Sequence, residues 1–208
     1  MILNFKILKF LKKEKNRTAK TDILNTSTNN TEKEQEKSIN IKKSHMKNLL
    51  YSISPINSRI ISSIALNLQE IIDENKMNIK YSYRKGDPFY TFHLPLISLE
   101  NYLKRIFFYT KIDISTLIIA IIYIDTFCDL NRYILCLNNI HRIIMASCVL
   151  SIKFNEDLSF GNDYYAKMAN FSVDLLNRLE YEFYVMMNFK LIVSEDIYHK
   201  YYAYFTRD

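Results

Sequence analysis

Glycine occurs only twice in this chain, at Gly86 and Gly161, and proline three times among 208 residues. Sheets turn at such residues, so their scarcity argues against a strand-rich architecture and for helices joined by short connections. Cysteine is also sparse. Cys128, Cys136 and Cys148 sit in apolar surroundings without C-x-x-C spacing. An odd count with no secretory signal points to a reducing, intracellular location, where the three thiols act as small buried hydrophobes. The longest uncharged run of the apolar centre, Ile114–Ile124, has eleven residues and is too short to span a bilayer. Catalytic signatures are missing as well: there is no phosphate-cradling glycine loop, no G-x-S-x-G and no H-E-x-x-H. His45, His93, His141 and His199 lie far apart and share no metal-ligand spacing. His141 is expected to cap or pack beside Arg142. Nothing in the pattern implies an enzyme, a metal or a cofactor.

A formal net charge of +6 suggests nucleic acid until it is divided along the sequence. Residues 1–50 hold 12 Lys/Arg against 5 Asp/Glu, and residues 51–208 hold 16 against 17. The whole excess therefore lies in the first fifty residues. The remainder lacks the basic footprint of a nucleic-acid surface. The N-terminal stretch MILNFKILKFLKK could place Leu3, Ile7, Phe10 and Leu11 on one face beside lysines, as a peripheral membrane or partner-docking segment. From Glu14 to about Lys47 the sequence is polar and reads as a flexible linker. Residues 1–50 are thus expected to be a basic, largely disordered segment and residues 51–208 a single folded domain.

What is abundant is helical periodicity. Pro55 opens a stretch with Ile60, Ile61, Ile64, Leu68, Ile71 and Ile72 at helical spacing. Ser98 is placed to cap SLENYLKRIFFYT, and Asp113 or Ser115 starts ISTLIIAIIYIDTFC, which is apolar on every side. The next helix, IHRIIMASCVLSIKFNED, has Asn138 or Asn139 as cap. On a helical wheel Ile140, Ile143, Ile144, Ser147, Cys148, Ser151 and Phe154 fall together, with Arg142, Val149 and Lys153 opposite. Asn162, Ser172 and Ser194 are read as caps of three further helices. That makes five helices in a row from Ser98 to Met187, one before and one after, without an internal repeat.

Two acidic residues stand out. Asp125 lies late in an apolar helix and opposes the macrodipole, so it is read either as an exposed helix-end residue or as half of a structural salt bridge. Glu180 sits at the margin of the stripe Leu175, Leu176, Leu179, Phe183, Met186 and Met187. Taken alone, Glu180 and Lys153 read as solvated edge residues.

The blocks FHLPLISLENYLKRI, STLIIAIIYID, NIHRIIMASCVLSIKFNED, NDYYAKMANF and LNRLEYEFYVMMNFKLIV together resemble the cyclin box, and most of all the P-type (U-type) cyclins. The likeness runs from about Pro55 to Phe205. It implies an all-α fold: a single five-helix cyclin box, about residues 95–190, with an additional N-terminal helix and a short C-terminal helix. It further implies a non-catalytic regulatory subunit that binds and activates a cyclin-dependent protein kinase by positioning the kinase's regulatory helix. Lys153 and Glu180 match the family's kinase-binding polar pair, which hydrogen-bonds main-chain groups leading into that helix. Leu150, Phe154, Tyr184, Phe189 and Leu191 match apolar contact positions. On this reading Lys153 stands at the rim of a hydrophobic groove, facing a partner. The alternatives are a cyclin-fold adaptor that activates no kinase and a transcription-factor-like cyclin fold.

The sequence departs from the mitotic cyclins at the start of the box. Their M-R-x-x-L-x-x-W aligns with Pro95, Leu96, Leu99 and Tyr102. The arginine that would pair with Asp125 is missing from this motif, so neither that salt bridge nor the substrate-docking patch built on the motif is expected. The sequence ends after one box.

Overall fold

Seven helices and no strand occur among the residues described by the computed structural model, 53–76 and 86–207. Residues 1–52, which carry the basic segment and linker expectations, lie outside that set. In sequence order the helices are α1 (Pro55–Asn75), α2 (Leu99–Thr110), α3 (Ile114–Asn131), α4 (Ile140–Asn155), α5 (Asn162–Ala169), α6 (Val173–Met186) and α7 (Glu195–Phe205). The protein folds as the cyclin-like pattern predicts: five consecutive helices, α2 to α6, preceded by α1 and followed by α7.

Local chemistry sets most of the helix starts. Ser98 Oγ accepts from the Asn101 amide, Asp113 Oδ1 from the Ser115 amide and Ser172 Oγ from the Leu175 amide, each satisfying a donor that the first turn leaves unpaired. Ser54 does the same for α1 ahead of Pro55, whose missing amide costs nothing at that position. Three expected caps work differently, Ser194 among them, which holds the N-cap position of α7 without a side-chain capping hydrogen bond. Asn139 occupies the N-cap position of α4 but turns its side chain back onto the preceding loop, accepting from Cys136 N and donating to the Ile134 carbonyl. Asn162 is not a cap at all. Gly161 takes that position, and Asn162 is the first residue of α5.

α3 and α4 form the centre. In α3, Leu117, Ile118, Ala120, Ile122 and Phe127 are fully or almost fully enclosed. The helix is long and apolar enough to cross a membrane by length and composition alone, yet its apolar surface is spent on other helices. The helical wheel divides α4 into two faces, and the structure corrects this. Every residue from Ile143 to Ile152 is buried, Val149 included. Ser147, a small residue at the α3–α4 contact, lets the helices approach closely enough for its Oγ to donate to the Ala120 carbonyl at 2.6 Å. Even the polar residues at the start of α4 are absorbed. His141 packs its ring against Tyr102, tilted by 57° at a centroid distance of 4.8 Å, and hydrogen-bonds the Ile97 carbonyl, while Arg142 points elsewhere and donates to the carbonyls of Pro88 and Tyr90. The expected packing of His141 beside Arg142 is therefore replaced by packing on α2.

A second cluster fastens the segment before α2. Phe89 is fully buried and meets Phe127 and Phe183 edge-on, and those two rings stack at 4.6 Å. Offset and edge-on rings add about 0.5–1.5 kcal/mol per pair beyond burial. Phe183 thereby ties α6 to α3.

Candidate functional site

α4 emerges from the core at its C-terminal end, where Lys153 lies in the last turn, a position that the helix dipole favours for a cation. α6 is held by Leu176, Leu179 and Phe183, all fully buried, and Glu180 projects from the margin of that stripe. These two supports bring Lys153 and Glu180 together across 27 residues of sequence: Lys153 Nζ lies 2.8 Å from both Glu180 Oε1 and Oε2. The side chains remain 33% and 17% exposed. A third helix joins in. From the first position of α5, Asn162 Nδ2 donates to Glu180 Oε2 and to Asn177 Oδ1, both at 2.7 Å.

A hydrogen-bond count shows what this cluster can still do. An ammonium has three donors, and two are used. A carboxylate has about four acceptor sites, and three are used. Among the described residues, one ammonium donor and about one carboxylate acceptor site have no hydrogen-bond partner. A partly exposed pair of this kind contributes little to folding, about 0–1 kcal/mol.

The apolar positions divide into two groups. Leu150 and Leu191 are buried within the protein itself and act as foundation. Phe154 and Phe189 are 51% and 59% exposed, and Tyr184 is half-buried. Tyr184 and Phe189 meet edge-on at 4.8 Å for a local reason. α6 ends in a Schellman turn, with Phe189 N donating to the Tyr184 carbonyl and Asn188 N to that of Val185. In such a turn the residue after the left-handed position packs on the third residue from the helix end. Asn188 is left-handed, as asparagine tolerates, but so is Phe189, with φ of 59°. A bulky side chain seldom adopts that region, at a cost of about 1–2 kcal/mol.

The segment after this turn is pinned to the centre of the fold. Tyr123 of α3 donates to the Leu191 carbonyl at 2.6 Å, and Asn155 at the end of α4 reaches the same hydroxyl at 3.5 Å. Ile192 follows, 90% exposed. Sequence reasoning missed it, because nothing in the turn's periodicity marks which side of Leu191 faces outward.

Asp125 accepts a hydrogen bond from Tyr201 of α7 at 2.6 Å, so a tyrosine from the last helix engages the carboxylate whose arginine the opening motif lacks. Burial, and then the charge of Asp125, hold the Tyr201 hydroxyl far above its usual range. The three cysteines are buried and unbridged, and burial pushes the Cys148 thiol up to about 12. No group of three metal-binding side chains occurs among the described residues.

The family model described as Cyclin matches residues 7–191. The chain belongs to the cyclin family. Among curated proteins, this cyclin is 35% identical to Cyclin-U2-1 of Arabidopsis thaliana over 116 residues, 55% of the present protein and 52% of that relative. It is 32% identical to Cyclin-U4-3 of the same plant over 158 residues, 75% and 71% of the two proteins. It is 26% identical to Cyclin-P3-1 of Oryza sativa subsp. japonica over 133 residues, 64% and 54%. The cyclin thus spans about half the length of some of these relatives and nearly three quarters of others. The match to U- and P-type cyclins agrees with the resemblance carried by the five helical blocks.

Proposed function

We propose that this cyclin is a non-catalytic regulatory subunit that binds a cyclin-dependent protein kinase inside the cell and activates it by positioning the kinase's regulatory helix. One observation carries the reading: Lys153 and Glu180, on different helices, are joined in a polar pair that, among the described residues, keeps one donor and one acceptor free near exposed aromatic residues. Those two free groups suit the main chain of an entering segment, and Phe154, Phe189 and Tyr184 supply the apolar anchors that interface hot spots require. The cyclin's role would be to favour one state of a two-state element in its partner, with the transfer chemistry left to the kinase. The near-neutral balance of residues 51–208 supports a protein partner over nucleic acid.

The test is to co-express the full-length protein with each cyclin-dependent kinase of the source organism, singly and tagged, and to measure co-purification and phosphotransfer to a histone substrate. A kinase that co-purifies and gains activity supports the proposal. A stable complex with no gain identifies an adaptor. Retention on DNA that weakens steeply with salt identifies a transcription-factor-like role. Either of the last two results overturns kinase activation.

A further inference from the structure

Asn162 stands at the start of α5, where the sequence pattern reads it as a helix cap, yet Gly161 holds the cap position and leaves the Asn162 side chain uncommitted to its own backbone. That side chain instead bridges Asn177 and Glu180 of α6. The direction of its amide is fixed by what it faces. Turning it over would set Oδ1 against two acceptor oxygens now 2.7 Å from Nδ2. The observed direction has a cost of its own, since Asn162 Oδ1 is buried without a hydrogen-bond partner among the described residues. The amide is thus oriented by Glu180 and Asn177 at the expense of its own satisfaction.

We infer that Asn162 is a positioning residue: it occupies one acceptor site of Glu180, fixes the carboxylate opposite Lys153, and so aims the pair's remaining donor and acceptor outward at the main chain of a partner. This rests on the kinase-binding reading for its consequence but not for its geometry. Without the Asn162 amide, Glu180 is released to swing about its own torsions and the Lys153 ammonium follows it.

The experiment has two arms, using the full-length protein and Asn162→Ala. In the isolated protein, 15N relaxation of the Lys153 ammonium reports how firmly the pair is held. Its mobility should rise clearly in N162A while the thermal midpoint moves little, and an ammonium equally ordered in both proteins overturns the inference. This arm decides the geometry whether or not any kinase binds. In the second arm, binding is measured to a cyclin-dependent kinase that the native protein captures when the two are co-expressed. N162A should weaken binding about tenfold, and should have almost no further effect in a Glu180→Ala background, because residues acting through one another are non-additive. Equal weakening in both backgrounds marks a merely structural role and overturns it.

Discussion

Tyr201 and Asp125 are joined across 76 residues by a 2.6 Å hydrogen bond that closes α7 onto the central helix α3. The donor is neutral and the acceptor charged, a pairing stronger than an ordinary hydrogen bond. Tyr201→Phe keeps the ring and its packing while removing that donor. The substitution should destabilise the fold by about 1.5–3 kcal/mol, readable as a fall of several degrees in the thermal midpoint. An unchanged midpoint would show that this hydrogen bond adds nothing to the packing and the Asn67–Tyr204 contact that also hold α7.

The partly exposed Lys153–Glu180 pair predicts the opposite pattern. Lys153→Ala combined with Glu180→Ala should leave the helical circular-dichroism signal and the midpoint nearly unchanged. The same double substitution should abolish kinase co-purification, in keeping with a cost on the order of 2–5 kcal/mol for losing a buried charge-assisted contact. Loss of folding would instead assign both residues to the framework.

Phe189 allows strain and contact to be separated. Phe189→Gly removes the left-handed backbone penalty, so it should be more stable than Phe189→Ala by about 1 kcal/mol in denaturant unfolding. Both variants lose the exposed ring that packs on Tyr184, and both should bind a kinase more weakly. If Ala and Gly bind as well as the native protein, this aromatic ring is no anchor.

Stability should depend on pH through His141. Burial lowers its pKa from the ordinary 6.5, against the smaller opposing effect of the Ile97 carbonyl. The folded protein therefore holds the ring neutral where the unfolded state takes up a proton. The stabilisation is complete above pH 6.5 and is lost as pH falls below it toward the depressed folded value. Thermal midpoints measured from neutral pH downward should drop in this window, and His141→Gln should flatten the drop. Glu100, whose pKa is lowered by the hydrogen bonds from Lys104 and Ser62, contributes only at more acidic pH, from its ordinary 4.5 downward.

The fold was legible because its determinants are local: apolar spacing along each helix, and caps such as Ser98, Asp113 and Ser172 that act within three residues. The failures occurred where a side chain works at a distance. Asn162 satisfies every local rule for a cap, but the competing partner, Glu180, lies a helix away. Val149 falls on the wrong side of a two-faced wheel because α4 has no solvent face along most of its length. Arg142 seeks carbonyls of an irregular segment more than fifty residues earlier, and no periodicity announces that. Lys153 and Glu180 are ordinary edge residues on local evidence. Only the order of the surrounding blocks, matched to a family, joined them before the structure did.

The enclosure of α4 reaches beyond stability. A helix gripped on all sides from Ile143 to Ile152 can neither slide nor roll without parting its neighbours, so the backbone that carries Lys153 inherits the rigidity of the interior. On the proposed function, substitutions deep inside, at Ile144 or Cys148 for example, should shift that backbone and weaken kinase binding before they unfold the protein. Tolerance to interior change and fidelity toward that proposed partner would then be governed by one mechanical element.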